Sequence, residues 1–263
     1  MVSQKGGVGK TTVALNLAYA LARRGTRTLL VDLDPAGSIG LSLTRRVAKA
    51  PGVVELASRA ASLDNLLIET RLNELMILPV GQVPPLRAPD FANRLADGQL
   101  LRHLCRSLRD DLDAIVFDTP SGFGGATLGA LKASEYSVCP VQAEPVAARL
   151  VLRVLDVIAG LREEGANVAL AGILITMIQQ QSRPSATVAE ELWQSLPKDL
   201  LFKTSIPRDP AFLDASAAGV PIGLLRRRAP PVAMMFEQLA GELEQRVGLL
   251  AKESRDEPIA LVD

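Results

Sequence analysis

Lys5-Gly6-Gly7-Val8-Gly9-Lys10-Thr11-Thr12 is the stretch on which the reading of this 263-residue chain turns. Glycines let a backbone point its N–H groups at an anion with no Cβ in the way, and a helix that opens at the end of such a loop adds the positive end of its dipole. Lys10 is placed to reach the terminal phosphates, and the Thr11 hydroxyl to ligate Mg²⁺. The ligand class is therefore a nucleoside triphosphate, cradled by Gly6, Gly7, Val8, Gly9, Lys10, Thr11 and Thr12. The usual phosphate-loop pattern has glycine five residues before Gly9; here that residue is Gln4, and a second cation, Lys5, follows it. Loops of this kind leave the end of a central buried strand in an open α/β sheet. Only residues 1–3 precede the loop, so that strand looks clipped: either the true start lies upstream or the protein tolerates a short central strand.

Working outward, Val13, Leu15, Leu17, Ala18, Leu21 and Ala22 give residues 11–24 a broad apolar face, and Gly25 supplies a stop, as in a buried helix. Residues 28–33 form an apolar run that delivers Asp32 and Asp34 at its end, as a parallel strand delivers ligands at its carboxyl edge. Being two residues apart, the two carboxylates are expected on one strand face. Residues 35–37 are a turn, and 38–61 carry no clear pattern. Residues 63–68 read as a short helix, 75–80 as a strand, 83–89 as a proline-rich loop and 91–112 as a helix. The strand 114–117 ends at Asp118, the second metal-side signature of phosphate-loop enzymes. Strands at 137–141, 169–176 and 201–206 alternate with helices at 145–164 and 185–196, and a last amphipathic helix spans 230–250. Strand–helix alternation predicts a doubly wound, mostly parallel sheet flanked by helices. A single domain over 1–252 and a loose tail over 253–263 complete the expectation.

Composition agrees with this class. The chain is 48% hydrophobic but only 3% aromatic, which suits aliphatic helices packed on a parallel sheet. Its 29 basic and 29 acidic residues cancel, so any nucleic-acid affinity has to come from a local patch. Cys105 and Cys139 lack the close spacing of a metal or redox motif, the start lacks a secretion-signal pattern, and no apolar run is long enough to span a bilayer. A reduced, cytoplasmic protein is expected.

The KGGVGKT loop with its early lysine resembles that of the ParA/MinD family of ATPases. The resemblance extends from Gln4 to about Val247 through LLVDLDP (29–35), FDTPS (117–121), PVQAE (140–144), GILITM (172–177) and IPRDPAFLDASAAGVPI (206–222), all in the family's order. It looks closest to the ParA/Soj branch, in the short form without an N-terminal DNA-reading domain. Two departures lie in regions that respond to nucleotide or partner: Ala36 where the family has glutamine, and Pro145-Val146-Ala147-Ala148 where aromatic residues are common. The resemblance implies ATP and Mg²⁺ as ligands and a homodimer that closes on ATP. Lys5 would reach the partner's nucleotide, Lys10 would bridge the β- and γ-phosphates, and Asp34 would orient the attacking water. Thr11, Asp32 and Asp118 would form the metal shell, and Pro207 and Asp209 would frame the adenine.

Arg226, Arg227 and Arg228 are the densest basic run, in a neighbourhood that lies on the DNA-contacting face of related proteins, and Lys203 is similar in position to another basic residue there. Nonspecific double-stranded DNA is the implied partner and the nucleoid the implied location, with a ParB-like protein or cargo adaptor stimulating hydrolysis. No base-reading element is visible. The alternative is a MinD-like membrane-cycling regulator, which should end in a basic amphipathic helix; the acidic and proline-containing end of this chain lacks one. A third class, reductases and metal-cluster carriers with the same loop, needs cysteines at a dimer axis, whereas Cys139 reads as core and Cys105 as part of a helix.

Overall fold

The computed structural model describes residues 1–179, 187, 188, 190–192, 194 and 196–249. Among the described residues, seven strands form the sheet: β1 (Thr28–Asp32), β2 (Ile68–Glu69), β3 (Leu75–Leu78), β4 (Ala114–Asp118), β5 (Tyr136–Gln142), β6 (Ala169–Ile178) and β7 (Ile206–Pro207). They fall into two ladders, β2-β3-β1-β4 and β5-β6-β7, parallel throughout except for the edge strand β2. Residues 1–3 lie in the seam. The backbone nitrogen of Met1 donates to the Phe117 carbonyl (2.7 Å) and that of Val2 to Val138 (2.9 Å), so this short segment joins β4 to β5 and delivers the loop at the middle of the sheet. That is the topological switch point, where α/β sheets bind ligands.

The helices whose full span is described are α1 (Lys10–Arg23), α2 (Ser38–Ser42), α3 (Arg45–Lys49), α4 (Val53–Ala57), α5 (Ala88–Leu95), α6 (Gln99–Ser107), α7 (Gly125–Ala133), α8 (Ala147–Glu163), α9 (Ala211–Ala218) and α10 (Ala233–Val247). Alternate residues of β1 face opposite layers: Leu30 packs with Ala14, Ala18 and Ile77, while Leu29 and Val31 pack with Leu95, Leu101 and Ala126. Thus α1 covers one face of the β1 ladder and α5–α7 the other. Around β5 and β6, α8 covers one face and α1, α9 and α10 the opposite one. The doubly wound architecture is as expected.

Several expected elements differ. Residues 63–68 hold a 3₁₀ turn (Leu63–Asn65) followed by β2, not one helix. The helix over 91–112 is two helices, because Gly98 adopts φ 71° and starts α6 in a new direction. The strand over 201–206 is reduced to a bridge at Leu201 and to β7. Between them the N–H groups of Lys203 and Thr204 are drawn to the Glu242 carboxylate on α10 (both 2.8 Å), away from the ladder. Helices α7 and α9 were not foreseen, nor the short turns α2–α4. Within the helix expected over 185–196, the described residues Thr187, Val188, Glu190, Glu191, Leu192 and Gln194 are helical; its remaining positions before Leu196, and the tail 253–263, lie outside the described residues.

Candidate nucleotide site

The loop closes around two glycines with left-handed backbone, Gly7 (φ 75°) and Gly9 (φ 86°); the latter caps α1, which starts at Lys10 with no side-chain cap. A cap without a side chain leaves the first N–H groups of the helix open to an anion. Thr176, at the end of β6, holds the loop from below: its buried hydroxyl lies 2.9 Å from the Val8 carbonyl and 3.1 Å from that of Val141. On the far side, the Gly122 N–H donates to the Ser3 carbonyl (3.1 Å) and the Ser121 side chain faces Gly6. Asn16, also buried, donates to Thr12 (2.8 Å) and accepts from the Ile222 N–H (2.7 Å), tying α1 to the segment before the arginine run.

Lys10 is only 7% exposed, and burial lowers its pKa against the pull of Asp118 and Asp34. Its Nζ lies 3.5 Å from the Lys5 carbonyl, a weak contact for an ammonium. Asp32 and Asp118 are direct cross-strand partners in the β1–β4 register, so the two apolar runs deliver their carboxylates side by side at the carboxyl edge. Their surroundings differ. Asp32 spends both oxygens on the following turn, accepting from the Asp34 N–H (3.0 Å) and the Ile39 N–H (3.1 Å); burial foremost, and then Asp118, still raise its pKa well above the usual range. Asp118 is fully buried and neither oxygen has a partner of ordinary hydrogen-bond geometry. Burial pushes it up to about 6; the nearby Thr11 hydroxyl and the cations of Met1 and Lys10 pull it down, while Asp34 pushes it up.

An orphaned, buried carboxylate beside a threonine hydroxyl at the foot of a phosphate loop is a donor set of hard oxygens, which fits Mg²⁺. The Asp118 oxygens are the unengaged ones, with Thr11 beside them, whereas both oxygens of Asp32 brace the turn.

Asp34 lies beyond the end of β1, in a turn, with its carboxylate on the Ala36 N–H (2.9 Å). The shared strand face expected for Asp32 and Asp34 is therefore absent, because the strand stops at Asp32. Lys5 is a third exposed, and its ammonium forms an ion pair with Glu144 at the end of β5. Pro207 pairs with Ile178 in β7, and Asp209 accepts from the Ala211 N–H (2.8 Å) at the entry of α9. Beside them Met177, a residue outside the expected site set, adopts φ 56° and sets its methyl group close to Gly9. Lys203 is exposed beside an open cavity of about 550 Å³ shared with Arg24, Glu237 and Glu242, which does not include the arginine run. Arg226 pairs with Asp214 on α9 (3.6 Å), and Arg226, Arg227 and Arg228 are all exposed.

Glu144, Asn16 and Thr176 went unassigned in the sequence. Only the blocks that contain Glu144 and Thr176 hinted at them.

The AAA-domain family description matches residues 1–171. The chain is 35% identical over 256 residues to the chromosome-partitioning ATPase Soj of Thermus thermophilus, covering 94% of this chain and 95% of that protein. It is 31% identical over 251 residues to Soj of Treponema pallidum, covering 94% and 96%. Among solved structures, a cobyrinic acid a,c-diamide synthase from Mycobacterium smegmatis with bound ATP analog and magnesium superposes with TM-score 0.74 at 25% identity, over 97% of each chain.

Proposed function

This chain belongs to the ParA/MinD family of ATPases, and from that premise we propose that it is an ATP-switched dimer that binds DNA nonspecifically. It is an ATPase of the partition or positioning kind, using ATP and Mg²⁺. In the proposed cycle ATP closes two subunits face to face, the dimer holds nucleoid DNA, and a ParB-like protein or cargo adaptor stimulates hydrolysis and releases it.

The observation that carries this reading is the position of Lys5. It stands at the start of the cradle, about a third exposed and held by Glu144, while the cradle's own buried cation is Lys10. A lysine placed to serve its own phosphates would lie inside the loop; this one is held only by a partly exposed ion pair, a weak contact that it can exchange for the nucleotide of a partner subunit. Within each subunit, Lys10 and the N–H groups of residues 6–12 hold the β- and γ-phosphates, where charge grows during transfer. Thr11 and Asp118 would hold Mg²⁺, with Asp32 keeping the adjoining turn in place; magnesium, when bound, neutralises charge on the phosphate oxygens. Asp34, on the turn after β1 rather than on the strand, orients the attacking water, and Pro207 and Asp209 border the base. Lys203 and Arg226, Arg227 and Arg228 contact phosphates of DNA.

The test compares the parent with Lys5→Ala and Asp34→Ala in light scattering and DNA gel shifts, with ATP and with ADP, beside liposome sedimentation. The parent should dimerise and shift DNA only with ATP. Lys5→Ala should still bind ATP but stay monomeric, and Asp34→Ala should stay dimeric because turnover is lost. Unchanged dimerisation of Lys5→Ala would defeat the proposal, and ATP-dependent liposome binding in place of DNA binding would favour the membrane-cycling alternative.

A further inference from the structure

The arginine run hangs from a turn that is seated on α1. Residues Ile222–Leu224 form a 3₁₀ turn, and the chain is anchored on both sides of the arginines. Leu224 packs against the apolar cluster that holds Ala14 and Ala18, whereas Leu225 and Ala229 pack against the one that holds Val13 and Leu17. These clusters lie on different flanks of α1, so the turn straddles that helix, and Arg226, Arg227 and Arg228 form an exposed loop between two anchors. Gly223 lets the turn lie flush on the helix: a Cβ there would fall 2.6 Å from the Tyr19 ring.

Apolar contacts hold such a turn but are non-directional, and they leave its register loose. A buried side chain supplies the direction. Asn16 accepts from the Ile222 N–H at 2.7 Å and donates to the Thr12 carbonyl at 2.8 Å. The carbonyl can only accept and the N–H can only donate, so a single orientation of the amide serves both. Slippage of the turn by one residue would leave a buried donor and a buried acceptor unpaired, a cost that packing alone does not impose. Thr12 belongs to the phosphate loop, and Asn16 lies roughly 9 Å along the helix from Lys10, at about 1.5 Å per residue. The contact of Arg226 with Asp214, 3.6 Å between exposed groups, is too weak to set the run's position.

We propose that Asn16 is a positioning residue which, within the ATP-closed, DNA-binding dimer on which this rests, registers the arginine run of each subunit with its own phosphate cradle. In that dimer the two cradles face each other across the bound nucleotides. Two runs that are each fixed to a cradle are then fixed to one another, and both can engage one duplex. A run with loose register would meet the duplex one subunit at a time.

Two variants loosen the turn without touching α1. Ile222→Pro removes the N–H that Asn16 accepts, at the first position of the turn, where proline is tolerated; Gly223→Ala lifts the turn off Tyr19. Affinity for a fluorescent ATP analogue, and ATP-dependent dimerisation in light scattering, should stay within about twofold of the parent. Affinity for a labelled duplex in the ATP state should fall at least about tenfold, and its salt slope to about half, as one subunit's phosphate contacts drop out. Unchanged DNA affinity and slope in both variants would overturn the inference. So would lower affinity at the parent's slope, because both runs would still be engaged, or a matching loss of ATP binding, because the turn would then serve the fold of the cradle. A parent protein that binds no DNA with ATP would sink the underlying reading, and this inference with it.

Discussion

Asp118 is a buried carboxylate whose desolvation outweighs the help it gets from Thr11, Met1 and Lys10, and this has a measurable consequence for stability. Its folded-state pKa, about 6, lies above the ordinary value of 3.8, so the folded form holds its proton more tightly than the unfolded one. The resulting penalty is absent below the ordinary value, grows as pH rises toward 6 and is complete above it. A shift of about two units corresponds to at most about 3 kcal/mol. Asp118→Asn should therefore raise the melting temperature of the ligand-free protein by a few degrees at pH 8 and by about half as much at pH 5, while abolishing the extra stabilisation by Mg²⁺ with nucleotide. Scanning calorimetry at the two pH values checks both; a midpoint at pH 8 equal to the parent's would refute the assignment. Lys5 and Glu144 make the opposite case. Both are about a third exposed, and such a pair contributes only ~0–1 kcal/mol, so it can hold Lys5 in one subunit without resisting its transfer to another. Glu144→Gln should leave the melting temperature nearly unchanged and, in the proposed dimer, lower the protein concentration needed for ATP-dependent dimerisation by roughly two- to fivefold. Sedimentation velocity with ATP would read this directly, and weaker dimerisation would show that Glu144 itself acts across the interface.

At the scale of elements, small residues govern how closely the helices approach. On α7 a Cβ at Gly129 would fall 1.8 Å from the Leu95 carbonyl, and one at Gly125 2.3 Å from that of Ala92, so α5 rests directly on the α7 backbone. Gly160, inside α8, has open space around it. Gly129→Ala should force the two helices apart and cost about 1–3 kcal/mol or more, whereas Gly160→Ala should gain about 0.5–1 kcal/mol from helix propensity alone. Urea denaturation of the two variants should move in opposite directions; a neutral Gly129→Ala would mean that α5 and α7 are less closely coupled than the geometry requires. The same close packing explains why α7 was missed in the sequence. Its contact side is made of glycine and alanine, which leave no apolar stripe to read. By contrast β1 and β4 were legible, because a strand buried on both faces is an unbroken apolar run and a ligand-edge carboxylate ends it. The phosphate loop was legible because its chemistry is local to eight residues. The braces of the site were not: Lys5–Glu144, Val8–Thr176 and Asn16–Ile222 join residues 139, 168 and 206 positions apart, and nothing in a local pattern encodes such partners. The strand expected over 201–206 failed for a related reason, since the Glu242 carboxylate that displaces it belongs to a helix some forty residues later.

For the whole molecule, balanced charge sets the terms of DNA binding. With 29 basic and 29 acidic residues, long-range attraction to a polyanion is weak, and the proposed affinity has to arise from the few phosphates that a local patch neutralises. Arg226, Arg227 and Arg228 are exposed, but Arg226 is partly engaged by Asp214, and Lys203 sits among Glu237 and Glu242, which weaken its pull on phosphate. The run should therefore dominate and Lys203 contribute less. Each phosphate contact adds about 0.9 to the slope of log K against log salt, so three arginines account for up to about 2.7 per subunit, and closing a dimer doubles this on one DNA. That doubling makes binding depend on nucleotide without any change in the patch itself. Replacing Arg226, Arg227 and Arg228 together by alanine should lower the salt slope by roughly 3–5 in the ATP state and leave DNA-free ATP turnover as it was, whereas Lys203→Ala should change the slope by less than one. Fluorescence anisotropy of a labelled duplex over a salt series, with ATP and with ADP, measures these slopes. If the triple variant kept the parent slope, the DNA-binding surface would lie elsewhere on the molecule; if the slope fell while turnover also collapsed, the arginines would be serving the fold of the segment that Asn16 ties to α1.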